Sequence, residues 1–178
     1  MSLIEKIELA FAHRQMPAKV VDMEGRFQVD SDVEAALWFE GRGWREITTT
    51  DWEQHSCAVF FLSDEAFAYY LPSLLILTIK DPEGCPDLAV DSFVGLLDRT
   101  PDVKGWDLPF TNKFLGFRRE ECEALKEWLL FACEIVSLKG YGISDGGPGD
   151  KFGRAFENVS LLQQETELRH LNRDSGAK

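Results

Sequence analysis

The chain has 178 residues, of which 44% are apolar and 12% aromatic, and its formal net charge at pH 7 is −12. This length and apolar content predict one globular domain with a packed core of its own. The acidic excess disfavours nucleic acids and anionic membranes as partners, because their phosphate groups are repelled by negative charge.

Three segments in the first third of the chain carry capping-box spacing, in which Ser or Thr precedes Glu by three residues. They are Ser2–Glu5, Ser31–Glu34 and Thr50–Glu53. The first precedes apolar residues spaced three and four apart, which predicts an amphipathic helix over Leu3–Phe11. The other two predict a second helix that ends before Gly41 and a short third helix over residues 51–55.

The apolar run Cys57–Leu62 fits either a buried strand or the approach to the next helix. Ser63 precedes two acidic residues, which predicts the N-cap and first turn of a helix through Phe67–Tyr70. Pro72 removes a backbone hydrogen bond and crowds the preceding turn, at a cost of ~3 kcal/mol. We therefore expect this helix to break near Leu71 and a second helix to begin with Pro72, forming a corner inside the core.

Glycine and proline divide the second half of the chain. Asp81–Pro86 and Thr100–Pro109 are predicted loops, and the apolar spacing between them predicts a helix that begins at Pro86. Glu120–Leu138 carries apolar residues on one stripe and charged residues on the other, which predicts a long helix. Gly140–Asp150 contains five glycines and a proline, which predicts an irregular linker.

Beyond this linker, Phe156, Val159 and Leu162 predict a polar amphipathic helix over Phe152–Leu171. Its apolar groups should not stay in water, so we expect it to dock either on the first 137 residues or on a second copy as a swapped arm. The predicted organisation is a globular helical domain (1–138), a glycine-rich linker (139–151) and a helical tail (152–178). The fold class is mainly α, with room for one or two short strands.

The four cysteines are Cys57, Cys85, Cys122 and Cys133, and none is closely paired with another. This spacing predicts reduced thiols in the cytoplasm rather than a disulfide framework. On one helix, Cys122 and Cys133 would lie roughly 16 Å apart, too far to share a metal ion. We predict neither a metal site nor a cofactor, and the apolar runs fall far short of the ~20 residues of a membrane-spanning helix.

His55 and Cys57 are the one histidine and cysteine that lie close together in the sequence. Side chains two positions apart face the same way on a strand but not on a helix. An extended segment here would therefore allow a small cysteine-dependent hydrolase or transferase. On a helix, the same residues are a surface histidine beside a structural cysteine.

Three tryptophans, Trp38, Trp44 and Trp52, lie within fifteen residues of one another among charged side chains. Tryptophan and arginine dominate binding hot spots, so this composition indicates a recognition surface as the alternative to simple core anchors. The predicted partner-binding residues are two aromatic anchors and four acids, namely Trp44, Trp52, Asp51, Glu53, Asp64 and Glu65.

The segment Tyr69-Tyr70-Leu71-Pro72 lies between Gly43-Trp44-Arg45-Glu46-Ile47 and Phe114-Leu115-Gly116-Phe117. In this order of features, over roughly residues 3 to 135, the chain resembles a family of small bacterial proteins catalogued only as a domain of unknown function. Similar small proteins often sit beside polymorphic toxin genes, so the resemblance implies an immunity role. It supplies no catalytic residues.

These observations together predict a non-enzymatic protein-binding module. Its most specific form is an immunity protein that neutralises a cognate basic toxin through an acidic, tryptophan-bearing surface. The alternatives are the cysteine-dependent enzyme and a structural or oligomerising subunit that forms a homodimer through its C-terminal tail.

Overall fold

The structure, a computed structural model, describes residues 1–22, 30–138 and 148–175. Regular secondary structure in these ranges is helical, which confirms the predicted mainly α class. The sequence left room for one or two short strands, and the described residues show instead an isolated bridge between Val21 and Leu62. The α-helices are α1 (Leu3–Phe11), α2 (Ser31–Leu37), α3 (Thr49–Gln54), α4 (Ala58–Phe61), α5 (Asp64–Lys80), α6 (Asp87–Leu97), α7 (Leu108–Leu115), α8 (Arg119–Leu138) and α9 (Pro148–Ser175).

Two short 3-10 turns, Trp44–Glu46 and Val103–Gly105, connect some of these helices. Among the helices that the structure describes, none combines the length and the apolar content that crossing a bilayer requires.

Helix α5 lies at the centre of the fold, in contact with α1, α3, α6, α7 and α8. Every residue from Ala66 to Ile76 is buried, so this helix has no solvent-facing side along its central turns. The dense apolar run that encloses Pro72 is therefore core, as its composition predicts.

The expected corner at Pro72 is wrong, because α5 continues through this residue without a break. Proline costs about 3 kcal/mol in a helix interior. Burial of each large apolar side chain contributes about 1.5–3 kcal/mol, and several such side chains flank Pro72 on both sides. A corner would also place two sets of unpaired backbone groups in the core, which a continuous helix avoids.

The polar groups on the buried turns of α5 have partners from several elements. The Trp52 Nε1–H donates to Ser73 Oγ at 2.8 Å, and the Ser73 hydroxyl donates to the Tyr70 carbonyl at 2.7 Å. The Tyr70 hydroxyl donates to the carbonyl of Phe39 at 2.6 Å. The Trp128 Nε1–H donates to the Leu75 carbonyl at 3.1 Å. These bonds remove the desolvation penalty that unpaired polar atoms would carry in the core.

The helix starts agree with the predicted caps at α1 and α5 and differ at α2 and α3. Ser2 and Ser63 accept from backbone N–H groups three residues later, as expected. Helix α2 is capped by Asp30 rather than Ser31, and α3 by Thr48 rather than Thr50. In both cases several residues that can act as N-cap follow one another in the sequence. Their spacing alone does not say which of them lets the helix turn its apolar side toward the core.

Helix α7 lies where a loop was expected up to Pro109. The Asp107 carboxylate accepts from the Phe110 N–H at 2.8 Å and caps the helix, and Pro109 occupies the first turn. Proline is favoured there because the first-turn N–H groups have no partner within the helix. The run Cys57–Leu62, which fitted a strand or a helix approach, contains the short helix α4.

Helix α9 packs along α8 and also contacts α6 and α7. It begins at Pro148, within the predicted linker, whose residues 139–147 lie outside the described ranges. The apolar residues that it buries in the described part of the chain are Phe152, Ala155, Val159 and Leu162, and Asn158 and Thr166 are buried with them. In this structure the tail therefore packs on its own chain, which is the first of the two expected arrangements.

We predict that Leu74→Ala lowers the free energy of unfolding by ~2–5 kcal/mol, because Leu74 is fully buried in α5 and its loss leaves a cavity. Leu130→Ala, on the exposed side of α8, is the matched control and should change it by less than ~0.5 kcal/mol. Urea unfolding measures both values. A loss below ~1 kcal/mol at Leu74 would show that α5 is not the core element described.

We predict that Leu162→Ala also lowers stability by ~2–5 kcal/mol, since Leu162 is 1% exposed where α9 packs against the core. Leu168→Ala, 52% exposed on the same helix, controls for helix propensity. Sedimentation of both variants should give the mass of the parent protein. A change of mass with Leu162→Ala, without loss of stability, would instead assign α9 to an interface between two copies.

Candidate functional site

The segment Lys19–Asp22, the junction of α4 and α5, and helix α7 enclose a cleft of about 480 Å³. One wall is held in place by Ser63, whose hydroxyl donates to the Lys19 carbonyl at 3.1 Å while its backbone N–H donates to the Val20 carbonyl at 2.8 Å. The same hydroxyl caps α5 through the Ala66 N–H. One serine therefore ties the preceding segment to the start of the central helix.

Lys113 lies at the floor of this cleft, which we call the Lys113 cleft, and is 7% exposed. Its Nζ donates to the Leu62 carbonyl at 2.7 Å and lies 4.7 Å from the centre of the Phe67 ring. Burial lowers the pKa of Lys113 from its ordinary 10.5 to about 8, against the opposing effect of Asp64. The amine is therefore partly neutral near physiological pH.

Carboxylates from two elements line the rim of the cleft, namely Asp22, Asp64 and Glu65. Burial raises the pKa of Asp64, and so do the negative charges of Asp22 and Glu65, whereas Lys113 lowers it. The pKa values of Asp64 and Lys113 thus shift toward each other, because burial penalises the charged form of both groups.

Helix α4 presents an exposed aromatic side chain beside these acids. Phe60 is 48% exposed and lines the cleft. Cys57 lies one turn earlier, and its thiol is influenced by Asp32 and Asp30 at the start of α2. We call this surface the acidic α4 face and define it as Phe60 with Asp22, Asp30, Asp32, Asp64 and Glu65.

His55 and Cys57 do not have the extended geometry that would align them. They lie in the turn between α3 and α4, and the His55 ring stacks on Trp38 with 4.7 Å between ring centres. Burial lowers the pKa of His55, while burial and Asp32 raise the pKa of the Cys57 thiol. A nucleophilic cysteine needs its pKa lowered, so this environment opposes that chemistry.

Of the two predicted tryptophan anchors, the structure exposes neither fully. Trp52 is 1% exposed and bonded to Ser73, so it is a core residue and does not reach a partner in this structure. Trp44 is half-buried, and the Arg45 guanidinium lies 4.1 Å from its ring centre. Among the predicted acids, Asp51 completes the capping box of α3 by accepting from the N–H of the N-cap Thr48 at 2.8 Å, and Glu53 is exposed.

The remaining predicted acids, Asp64 and Glu65, meet in the Lys113 cleft. The candidate residues of this cleft that the sequence pattern did not indicate are Phe60 and Lys113. Lys113 lies three residues after Phe110 and directly before Phe114, which places it on the apolar face of α7. Once α7 is recognised as a helix, a lysine among the apolar residues of its buried face is the signal that indicates Lys113.

A second concave surface, of about 540 Å³, lies between α1 and α8. Lys6 in its lining contacts Glu127 at 2.6 Å. Nearby, Arg14 contacts the fully buried Glu121 through two bonds of 2.6 and 2.7 Å. The Arg118 N–H donates to the same Glu121 carboxylate. These pairs hold α1 onto α8 and have a structural role. No group of three His, Cys, Asp or Glu side chains suited to a metal occurs in the ranges that the structure describes.

A model of the family of unknown function DUF6714 matches residues 1–139. The expected membership of an uncharacterised family is thereby confirmed. No curated protein and no solved structure matches the chain. The matched range contains α1 to α8 and leaves α9 outside it.

The pKa of Lys113 is about 8 in the folded chain and 10.5 for an ordinary lysine. We therefore predict that the wild type gains stability relative to Lys113→Met as the pH rises from about 8 toward 10.5. Over this window the unfolded chain binds the proton more tightly than the folded one, so deprotonation favours folding by at most ~1.4 kcal/mol per pH unit. Below pH 8 the difference between the two proteins should be constant. Urea unfolding across this pH range measures it, and a difference that stays flat up to pH 10 would contradict the burial of the amine.

Proposed function

The chain belongs to DUF6714, a family of unknown function, and we propose that it is a non-enzymatic protein-binding module that binds a basic partner through the acidic α4 face. The more specific form of this proposal is an immunity protein that neutralises a bacterial toxin. The supporting observation is an exposed aromatic side chain, Phe60, that lines the same cleft as the carboxylates of Asp22, Asp64 and Glu65.

This arrangement has the composition of a binding hot spot with a charged rim. Aromatic residues are enriched at the centres of interfaces, where they fill pockets on the partner. The flanking carboxylates come from the segment before α2, from α2 and from the first turn of α5. They steer a basic protein toward this surface and set its orientation, while the aromatic contact slows its dissociation.

The charge of the whole chain favours the same kind of partner. Residues 1–137 carry 25 acidic and 13 basic side chains, so the excess negative charge is confined to the region that includes the acidic α4 face. Enzymes that act on nucleic acids have basic active sites, because their substrates are polyanions. A protein with an acidic face and a protruding aromatic residue is suited to covering such a site.

Two variants test this placement without disturbing the core. Phe60→Ala removes the exposed ring, and Glu65→Lys reverses one exposed rim charge. The matched controls lie on other elements: Leu88→Ala, 66% exposed on α6, and Glu157→Lys, exposed on α9.

The partner is first captured from an extract of the source organism with the full chain, identified by mass spectrometry and purified. We predict that Phe60→Ala and Glu65→Lys each weaken its binding at least ~10-fold, about 1.4 kcal/mol, while the controls stay within twofold. Added salt should weaken the wild-type complex, mainly through slower association.

Other outcomes would overturn the proposal in distinguishable ways. Affinity that is unaffected by salt would remove the electrostatic basis. Loss of binding with Trp44→Ala but not with Phe60→Ala would assign the interface to the surface around Trp44 instead of the acidic α4 face. Failure to capture any protein would contradict the binding role itself.

A further inference from the structure

We propose that Lys113 is a positioning residue of the acidic α4 face: its ammonium group holds the turn that carries Phe60 against the start of α5, and so fixes the aromatic side chain relative to the carboxylates. This inference rests on the protein-binding role proposed above and assigns to that face a buried residue that acts through its neighbours. Three features support it: the contacts of Nζ, the shortness of α4 and the burial of a charged group.

Helix α4 is a single turn and depends on outside support for its position. It spans four residues, Ala58–Phe61, and its N-cap Cys57 does not cap it through the side chain. A turn this short is not stable by itself, because nucleating a helix costs more conformational entropy than its first hydrogen bond returns. The inner side of the turn is buried against the core. The orientation of its outer side, where Phe60 lies, therefore depends on the groups that hold its end.

Two other elements hold the end of this turn. From the segment before α2, the Val20 carbonyl accepts from the Ser63 N–H at 2.8 Å. Val21 of the same segment forms a bridge with Leu62. From α7, the Lys113 Nζ donates to the Leu62 carbonyl at 2.7 Å. This carbonyl lies at the C-terminal end of α4, where backbone carbonyls lack partners within the helix and lysine side chains commonly donate to them.

The same ammonium group also contacts the start of α5. Nζ lies 4.7 Å from the centre of the Phe67 ring, over the face that attracts a cation. The negative charge of Asp64, in the first turn of α5, favours the charged form of the amine. Since its pKa is about 8, the amine is mostly charged at pH 7. One cation thus joins the end of α4 to the first turn of α5, which carries two of the rim carboxylates.

Stability does not account for a charge at this position. Lys113 is 7% exposed and lies on the side of α7 that also buries Phe110 and Phe114. A methionine of similar length would fill the same space without the penalty that burial imposes on a charge, and that penalty lowers the pKa of Lys113. Some proteins retain buried ionic groups because they select one geometry among several that apolar packing allows. Lys113 selects the geometry of the junction between α4 and α5.

Removing the charge and removing the positioning contact have opposite effects on the binding of a basic partner. Lys113→Met makes the face more negative by one charge, which by itself strengthens its attraction for a basic protein. Loss of the positioning contact weakens binding, because the partner then has to order Phe60 and the carboxylates as it binds. The sign of the change therefore distinguishes the two effects. Lys19→Met is the matched control, since Lys19 lines the same cleft but is exposed.

The affinity for the captured partner is measured with the full chain and three variants. We expect Lys113→Met to weaken binding at least ~5-fold through loss of pre-organisation, and Lys113→Arg, which keeps a cation with N–H donors, to recover most of it. Lys19→Met should bind as tightly as the wild type or more tightly. Binding by Lys113→Met that equals or exceeds that of the wild type, or no recovery in Lys113→Arg, would overturn the positioning role.

Hydrogen exchange tests the same role without a partner. The Leu62 N–H donates to the Ala58 carbonyl and the Ser63 N–H to the Val20 carbonyl, so exchange of these two amides reports opening of the turn. In Lys113→Met both should exchange at least ~5-fold faster, while exchange in α8 should not become faster. Unchanged exchange at the turn, or an equal increase along the whole chain, contradicts a positioning role.

The positioning role and the proposed binding surface fail in different ways. If Phe60→Ala weakens binding and Lys113→Met does not, the acidic α4 face binds the partner and Lys113 does not position it. If Lys113→Met speeds exchange at the turn but neither variant changes binding, the positioning contact stands and the proposed binding surface is wrong.

Discussion

A helix that is buried on every side is tolerated only when each polar group on it has a partner, and α5 imposes this constraint on its neighbours. Ser73 accepts from Trp52, and the Tyr70 hydroxyl reaches the Phe39 carbonyl at the end of α2. Trp128 of α8 donates to the Leu75 carbonyl. Each bond also fixes the position of the element that supplies it, so the placement of α2, α3 and α8 follows from satisfying the central helix.

Local signals in the sequence were sufficient for the helical class and for the starts of α1 and α5, because a capping side chain acts within three residues. They failed where distant contacts decide the outcome. The continuity of α5 through Pro72 depends on neighbours that bury both halves of the helix. Helix α3 is capped by Thr48 rather than Thr50, and in the resulting helix the side chain of Trp52 faces Ser73 of α5.

The candidate site was predictable only in part, for a related reason. Asp64 and Glu65 belong to a recognisable helix start, and the structure places them in the Lys113 cleft. Lys113 comes from a helix about fifty residues later, and its meeting with Leu62 is a property of the tertiary structure. Composition also cannot tell whether an aromatic side chain lies at the surface or in the core. Trp52, a predicted anchor, is in the core, whereas Phe60 is exposed.

The position of α9 has a practical consequence for the boundaries of recombinant fragments. Asn158 donates to the carbonyls of Leu97 and Arg99 at the C-terminal end of α6, and Arg154 pairs with Asp98. A fragment cut at residue 139, where the family match ends, would leave these acceptors to water and uncover the apolar surface beneath Phe152. Poor solubility of such a fragment would reflect where it was cut rather than any failure of α1 to α8 to fold, so expression trials should retain residues up to Ser175.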